Sequence, residues 1–279
     1  MIGWNCIQRR NIALLEAIKL NPDIILTIDD DNYPVDDNYK ADMITAFTGG
    51  NTLKIQTTTG WYNPGDMLFP NVVARGYPLS QRHVDNEPSS VKTLNDNDKI
   101  GVVASLWLGD PDIDAVERIC CQPDVTSMMT DVNYALHPDT WAPFNTQATA
   151  FRTIFAPFMM VWPGVGRYDD IWASYLTQRA MEDSDYRLSF GHPLVRQDRN
   201  PHNLVTDLKN EIYGMEYNEA MINEIRNLPF VQKIETIQDS IVVLNKWYDT
   251  LYQTKWLPDN TCAAFDAWYA DVDACAGEL

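Results

Sequence analysis

Residues 24–34 read IILTIDDDNYP, an apolar run that stops on three consecutive carboxylates. The run is short and rich in β-branched residues, as expected for a strand buried on both faces, and the Asn-Tyr-Pro after it favours a turn. A strand that ends on acids delivers carboxylates to one edge of a sheet. We therefore predict that the functional residues of this chain gather where that strand ends.

The three acids repel one another unless a cation lies between them. Asp29 and Asp31 project to the same side of an extended chain, whereas Asp30 points away. Carboxylate oxygens suit Mg²⁺ or Mn²⁺, and such an ion would in turn bind a diphosphate. A solvated Asp/Asn turn that merely ends a strand explains the triplet equally well.

The composition excludes several classes of partner. The chain has 279 residues and a formal net charge of −18, and no Lys/Arg cluster that could neutralise the phosphates of nucleic acid or an anionic membrane. No apolar run approaches the roughly 20 residues of a membrane span, and the N-terminus lacks the features of a signal peptide. The five cysteines follow neither a disulfide nor a zinc spacing. We predict a soluble, cytoplasmic protein with reduced thiols.

A helix is predicted ahead of the first strand, because apolar residues recur at helical spacing over residues 5–20. Open nucleotide-binding sheets usually begin with a strand, whereas here a helix comes before the first predicted strand. Further strands are predicted at residues 52–58 and 99–108. The predicted fold class is α/β, with a mixed sheet flanked by helices in a catalytic domain over residues 1–215 and a helical extension packed on it over residues 216–279.

A long loop over residues 60–82 combines aromatic residues and prolines with two arginines. A compact domain rarely keeps such a loop without a function, so we predict that Trp61, Arg75 and Arg82 contact the substrate. A packed lid fixed by its prolines is the alternative. The polar residues 84–98 that follow are predicted to be mobile.

Two further pairs of acids open predicted helices. Asp112 and Asp114 follow the strand at residues 99–108, and Asp169 and Asp170 begin a later amphipathic helix. Acids in a first turn are favoured by capping and by the helix dipole alone, so a structural explanation stays open for each. Asp114 is a candidate for substrate contact. We predict that Asp170 is the catalytic base, with Asp169 capping the helix, and that Asp169 or Asp112 is the next choice.

The remaining candidates lie near these acids. Asn145 stands in an aromatic surround, as a sugar-sized pocket requires, and Trp172 follows in the next helix. Both are predicted to contact the sugar, although buried aromatic residues more often belong to a core. Arg9 and Arg10, in the first turns of the N-terminal helix, are expected to bind the diphosphate. His202, ahead of a later helix, is the third candidate metal ligand.

Five segments in this order carry a resemblance to a known family: TIDDDNYP, ARGYPLSQR, SLWLGDPDIDA, GRYDDIWASY and NPHNLVTDLKNE. They resemble the plant reversibly glycosylated polypeptides, which are UDP-arabinopyranose mutases. The segments PFNTQ, DIWASYLTQR and RNPHN are also similar to STELLO-type glycosyltransferase-like proteins. Both groups are GT-A nucleotide-sugar enzymes, and the similarity spans residues 5–215.

The resemblance implies a GT-A-like sheet that lacks its usual first strand, and it makes Asp29–Asp31 the metal and nucleotide-sugar site. In the mutases the first arginine of the RGYPxSxR motif becomes glycosylated and the second is needed for activity. These arginines correspond to Arg75 and Arg82. The histidine that precedes the NP motif in the mutases corresponds to Val195, and His202 follows that motif as in the STELLO-type sequences.

The favoured hypothesis is a Mn²⁺- or Mg²⁺-dependent glycosyltransferase that moves a sugar, such as xylose or arabinose, from a UDP-sugar to a hydroxyl of a glycan or glycoprotein, with inversion. One alternative is a mutase that holds the sugar on Arg75, and another is a non-catalytic partner subunit. Because a guanidinium is a poor nucleophile at its normal pKa, the transferase hypothesis gives Arg75 an electrostatic role. A homo- or hetero-oligomer is compatible with the sequence.

Overall fold

The computed structural model describes residues 6–277, in which helices and strands alternate along most of the chain. The helices are α1 (Arg9–Lys19), α2 (Tyr39–Ala46), α3 (Ala115–Cys120), α4 (Asp169–Glu182), α5 (Leu204–Arg226), α6 (Ile237–Leu251) and α7 (Asp259–Gly277). The strands are β1 (Ile24–Ile28), β2 (Asn32–Pro34), β3 (Thr52–Thr57), β4 (Leu68–Phe69), β5 (Pro88–Thr93), β6 (Lys99–Gly109), β7 (Ser127–Met128), β8 (Asn133–Leu136), β9 (Ala148–Arg152) and β10 (Tyr186–Gln197). Short 3-10 helices occupy Pro64–Met67, Leu79–Gln81, Thr153–Phe158 and Gly166–Tyr168.

One mixed sheet organises the fold. Its strand order is β1-β9-β6-β10-β8-β3-β5, with β2 paired to the end of β10, and β4 and β7 form a separate small ribbon. The pairs β6–β10 and β3–β8 are parallel, and the other pairs are antiparallel. Helices flank this sheet and three helices follow it, so the prediction of a GT-A-like α/β fold is confirmed.

The register of the two longest strands decides where the functional residues meet. Gln197, at the end of β10, pairs with Gly109 at the end of the parallel strand β6 and with Asn32 at the start of β2. Asn32 directly follows the acid triplet. The carboxyl ends of β6 and β10 therefore lie beside the turn that carries the acids, where ligands commonly bind in open α/β sheets.

Strand β1 is not buried on both faces, contrary to the expectation from its composition. It lies at one end of the sheet and pairs only with β9, so Leu26 and Ile28 are 36% and 40% exposed. The prediction of a mobile segment at residues 84–98 is also wrong in part, because β5 lies there and pairs with β3. An apolar run predicts that a strand forms, but it does not predict where that strand lies in the sheet.

Helix α4 is buried on every side, although its sequence has the period of an amphipathic helix. Every residue from Asp169 to Met181 is buried, between the sheet and helix α5. The close approach of α5 depends on Gly214, where an added Cβ would lie 2.0 Å from Cδ2 of Tyr168. The two acids that begin α4 are thereby held rigidly at the edge of the core.

The C-terminal helices complete the core on one side of the sheet. Helix α5 runs without a break across residue 215, where the sequence suggested a domain boundary. Helix α6 begins with a capping box between Thr236 and Asp239 and packs on Thr153–Phe158, and α7 packs on α1 and α6. None of the helices within residues 6–277 combines the length and apolar character that a bilayer crossing needs.

Candidate active site

A pocket of about 410 Å³ lies where β1, β6 and β10 end and where α4 begins. It brings together residues that are far apart in the sequence and that were predicted separately. The predicted residues that line it are Arg10, Asp29, Asp31, Arg75, Asp112, Asn145, Asp169, Asp170 and His202. The pocket is thus the place at which the candidate chemistry of the chain converges.

One wall carries the acids that follow β1. Asp29 pairs with Arg10 of α1, and Arg10 also donates to Thr146 Oγ1 at 2.6 Å. Burial raises the pKa of Asp29, although Arg10 opposes this shift. Within the part of the chain that the structure describes, Asp31 accepts from two side-chain amides, Asn32 Nδ2 at 3.1 Å and Gln197 Nε2 at 3.3 Å. Asp29 and Asp31 therefore face the pocket together, as their alternation predicted.

A protein-only metal cage is not present in this wall. Within the described residues, no cluster of three or more histidine, cysteine or acidic side chains is arranged to hold a metal. His202 lines the pocket, but its Nδ1 lies 3.1 Å from Asp207 Oδ2, within hydrogen-bonding distance. Two carboxylates, Asp29 and Asp31, remain as oxygen ligands. Mg²⁺ commonly binds through one or two carboxylates together with substrate phosphates, so this pair fits such an ion.

The opposite wall is organised around Arg75. Its Nε and Nη2 donate to the carboxylate of Asp112 at 3.0 Å each, its Nη2 lies 3.4 Å from Asp170 Oδ1, and its Nη1 donates to the carbonyl oxygen of Arg167. Burial alone would lower the pKa of Arg75, but the two carboxylates raise it well above its usual value. Arg75 is therefore a buried cation oriented from three directions.

Asp112 is held as a charged group and not as a base. Burial by itself raises the pKa of Asp112, but the charge and the hydrogen bonds of Arg75 hold it well below its usual range. Asn145 Nδ2 donates to the same carboxylate at 2.7 Å. A carboxylate with a depressed pKa accepts protons poorly, so the structure assigns Asp112 to the orientation of Arg75.

The two acids at the start of α4 lie in different environments, and neither of them caps the helix. Asp170 is the fixed one, because its Oδ2 accepts from the Thr146 amide at 3.0 Å and its Oδ1 faces Arg75. Asp169 does not cap the helix, since Tyr168 is the N-cap residue. Within residues 6–277 its carboxylate accepts one hydrogen bond, from the amide of Asp170 at 2.9 Å. Burial and then the Asp170 carboxylate raise the pKa of Asp169 to about 7.

A chain of amides fixes the floor between the walls. Gln147 Nε2 donates to Gln197 Oε1 at 2.6 Å and to Asn32 Oδ1 at 2.9 Å, and Asn145 Nδ2 reaches Gln147 Oε1 at 3.3 Å. These bonds link β2, β9 and β10 around the pocket. Asn145 was predicted as a contact for the sugar, and it does line the pocket next to Asp112.

Both predicted tryptophan contacts lie in the core and not in the pocket. Trp172 is fully buried and donates from Nε1 to Asn218 at 3.1 Å. The Trp61 ring is 7% exposed, and the Arg226 guanidinium lies over it at 4.4 Å. Neither ring lines the pocket, so the positions of Trp61 and Trp172 give no support to their predicted contact with the sugar. Large apolar faces gain more free energy in the core than beside a polar pocket.

Four other candidates also lie outside the pocket. Arg9 and Asp30 are exposed on its outer side, so neither reaches its interior. Arg82 pairs with Asp114, which is fully buried and whose Oδ1 caps α3 by accepting from the Glu117 amide at 2.9 Å. The predicted substrate contacts of Arg82 and Asp114 are therefore replaced by a structural ion pair.

The structure adds pocket residues that sequence reasoning did not select. The main ones are Gln147, Arg167, Gln197 and Arg199. Arg167 directly precedes Tyr168 and the two acids of α4, and Arg199 directly precedes the Asn-Pro motif. Their position inside these motifs was the available signal, but nothing local distinguishes them from other surface arginines.

The family model for "Reversibly glycosylated polypeptide" matches residues 21–271. UDP-arabinopyranose mutase 1 of Oryza sativa subsp. japonica is 26% identical over 220 residues, which cover 77% of this chain and 57% of that protein. Probable UDP-arabinopyranose mutase 1 of Zea mays is 25% identical over 227 residues, covering 79% and 59%. UDP-arabinopyranose mutase 2 of Arabidopsis thaliana is 26% identical over 178 residues, covering 62% and 46%. The chain spans about half the length of these curated relatives.

Proposed function

The chain belongs to the reversibly glycosylated polypeptide family, and we propose that it acts on a UDP-sugar and places the sugar reversibly on Arg75. The mutases named above support this proposal over transfer to a glycan, which was the favoured hypothesis from the sequence. A self-glycosylating enzyme of this kind is an isomerase if the sugar changes its ring form before it returns to UDP.

The observation that carries the proposal is the setting of Arg75. The guanidinium lies in the wall of the pocket, 3.0 Å from Asp112 and 3.4 Å from Asp170, and it faces the space that the Asp29 wall also borders. A surface arginine has neither the fixed orientation nor a carboxylate in contact that could remove a proton. Because the carboxylates raise the pKa of Arg75, its guanidinium holds its protons firmly, so attack on a sugar needs a carboxylate that takes a proton as the new bond forms.

The proposed transfer forms one bond to the anomeric carbon and breaks another. Arg75 Nη2 attacks the anomeric carbon, the bond from that carbon to the diphosphate oxygen breaks, and its electron pair leaves with UDP. The Nη2 proton passes to Asp170 Oδ1, 3.4 Å away. Asp112 keeps the guanidinium plane fixed during the transfer. The reverse steps return the sugar to UDP.

A divalent cation is part of the proposal. Asp29 and Asp31 would hold Mn²⁺ or Mg²⁺ together with oxygens of the diphosphate, as their common exposure to the pocket supports. When bound, the ion supplies charge neutralisation to the leaving diphosphate.

Transfer to a hydroxyl of a glycan or glycoprotein is the second candidate function. It is supported by Asp169, whose pKa of about 7 suits a general base and which forms no ion pair with other residues in the range 6–277. Such a base would take the proton of the attacking hydroxyl. Both candidates use a UDP-sugar donor, and they differ in the acceptor.

Intact-mass spectrometry separates the two candidates. The protein is incubated with UDP-arabinopyranose and Mn²⁺ but without an acceptor, and we expect one pentose to be added to the wild-type chain. Arg75→Lys, which keeps a positive charge, should gain no mass. Arg82→Lys is the matched control in the same loop and should still be modified, because it retains the ion pair to Asp114.

Peptide mapping of the modified chain should locate the pentose on Arg75. If the wild-type mass is unchanged while labelled sugar reaches an added oligosaccharide, then the protein is a transferase and the self-glycosylation proposal is overturned.

A further inference from the structure

Arg199 is a buried cation that has no strong partner. Its side chain is 9% exposed and lines the pocket, in the loop between β10 and α5. Its single hydrogen bond within the described residues is a long one, from Nη2 to the carbonyl oxygen of Pro111 at 3.4 Å. Its Nε is buried without a hydrogen-bond partner, although it lies 3.5 Å from Asp110 Oδ2.

The carboxylates near Arg199 are already engaged by closer cations. Asp110 pairs with Arg118 at a shorter distance than with Arg199. Asp112 lies 3.0 Å from Arg75 but 3.8 Å from Arg199. Asp110 and Asp112 therefore bind Arg118 and Arg75 more closely than they bind Arg199.

A buried donor without a partner is costly, since burial removes its hydrogen bonds to water. Burial also lowers the pKa of Arg199, although the Asp112 carboxylate opposes this shift. A guanidinium in the wall of a pocket that keeps unused hydrogen-bonding capacity attracts and orients an anionic ligand.

We propose that Arg199 binds the diphosphate of the nucleotide-sugar directly and sets its position opposite Arg75. This inference rests on the proposed function, because it takes the ligand to be a UDP-sugar. The contacts of its Nε and Nη2 with Asp110, Asp112 and Pro111 are all 3.4 Å or longer, so the guanidinium keeps hydrogen-bonding capacity for a phosphate oxygen in the pocket that it lines. Arg199 is a binding residue and takes no part in the transfer of protons.

Arg118 provides a matched control within the same cluster. Like Arg199, it is buried, contacts Asp110 and donates to the carbonyl oxygen of Pro111. Unlike Arg199, it does not line the pocket. Arg118→Gln therefore disturbs the same turn without removing a group that faces the ligand.

Calorimetric titration of UDP, uridine and inorganic pyrophosphate tests the inference. We expect Arg199→Gln to weaken the binding of UDP and of pyrophosphate by roughly 10- to 100-fold and to leave uridine binding unchanged. Arg199→Lys should lose less, because it keeps the charge. Arg118→Gln should lower the melting temperature but keep the ratio of UDP to uridine affinity near the wild-type value.

Equal affinity of wild type and Arg199→Gln for UDP would overturn the inference. So would an equal loss for uridine and UDP, since that pattern indicates a distorted pocket, or a wild-type protein that binds neither UDP nor pyrophosphate. The binding test does not depend on whether Arg75 becomes glycosylated. If UDP binding depends on Arg199 but no pentose is added to Arg75, the proposed function fails and the diphosphate site stands.

Discussion

Two Arg–Asp pairs join the same two segments of the chain, and only one of them lies in the pocket. Arg75 pairs with Asp112, and Arg82, further along the same loop, pairs with Asp114. The second pair stabilises the fold, because Asp114 is fully buried and caps α3. The first pair borders the pocket and also contacts Asp170. The same side-chain chemistry therefore has two different consequences.

The two ion pairs differ in the other groups that their side chains contact. Asp114 contacts Arg82 and a backbone amide of its own helix, and both contacts fix the loop against α3. Arg75 contacts two carboxylates, of which Asp112 has a depressed pKa and orients the guanidinium. The proposed role of Arg75 as a nucleophile uses the second carboxylate, Asp170, to take up its proton.

The largest difference between the two pairs is expected when the charge is removed from each aspartate in turn. Asp112→Asn keeps the shape of the side chain but loses the charge that orients Arg75, so we expect turnover to fall on the order of 10²- to 10³-fold. Asp114→Asn keeps a capping oxygen and loses the buried ion pair, which we expect to cost about 1–3 kcal/mol of stability with turnover nearly unchanged.

Steady-state kinetics and thermal unfolding of both variants provide the measurement. Equal losses of turnover in the two variants would show that the pairs are not separable into a chemical and a structural one.

A smaller effect, on the stability of the protein, is expected when Asp169 is replaced, and this effect depends on pH. The folded-state pKa is about 7 and the usual value is 3.8, so between these values the folded protein binds the additional proton. The stability contribution of this group is therefore fully present below about pH 4 and is lost as the pH rises through about 7. Asp169→Asn removes this loss, so it should melt a few degrees above wild type at pH 8 and near wild type at pH 4.

Melting curves over this pH range check the sign. A variant that is less stable than wild type at pH 8 would show that the Asp169 charge is favourable in the fold, contrary to its burial.

The smallest effect is expected at Asp30. This acid is exposed outside the pocket, whereas its neighbour Asp31 lines it. Asp30→Asn should change stability by no more than about 0.5 kcal/mol and should leave Mn²⁺-dependent UDP affinity unchanged. Asp31→Asn is the matched variant and should weaken that affinity. A calorimetric titration in which Asp30→Asn has the larger effect would contradict the assignment of Asp29 and Asp31 to the ligand side.

The sequence by itself determined most of the α/β framework and the identity of the acids. Strand β1, the length of β6 and the helix after Tyr168 follow from local apolar content and period, which are properties of contiguous residues. The projection of Asp29 and Asp31 to one side follows from strand geometry in the same way. The family resemblance added Arg75, which local chemistry alone did not favour as a nucleophile.

Only the tertiary structure decided which of these groups act together. Asp169 and Asp170 differ in their surroundings, because the amide of Thr146 and the guanidinium of Arg75 reach Asp170 from other elements. Arg199 could not be selected, since its contacts with Asp110 and Asp112 are long because other arginines bind these carboxylates more closely. Pairing, burial and pKa depend on contacts between residues distant in the chain, and no local pattern specifies those contacts.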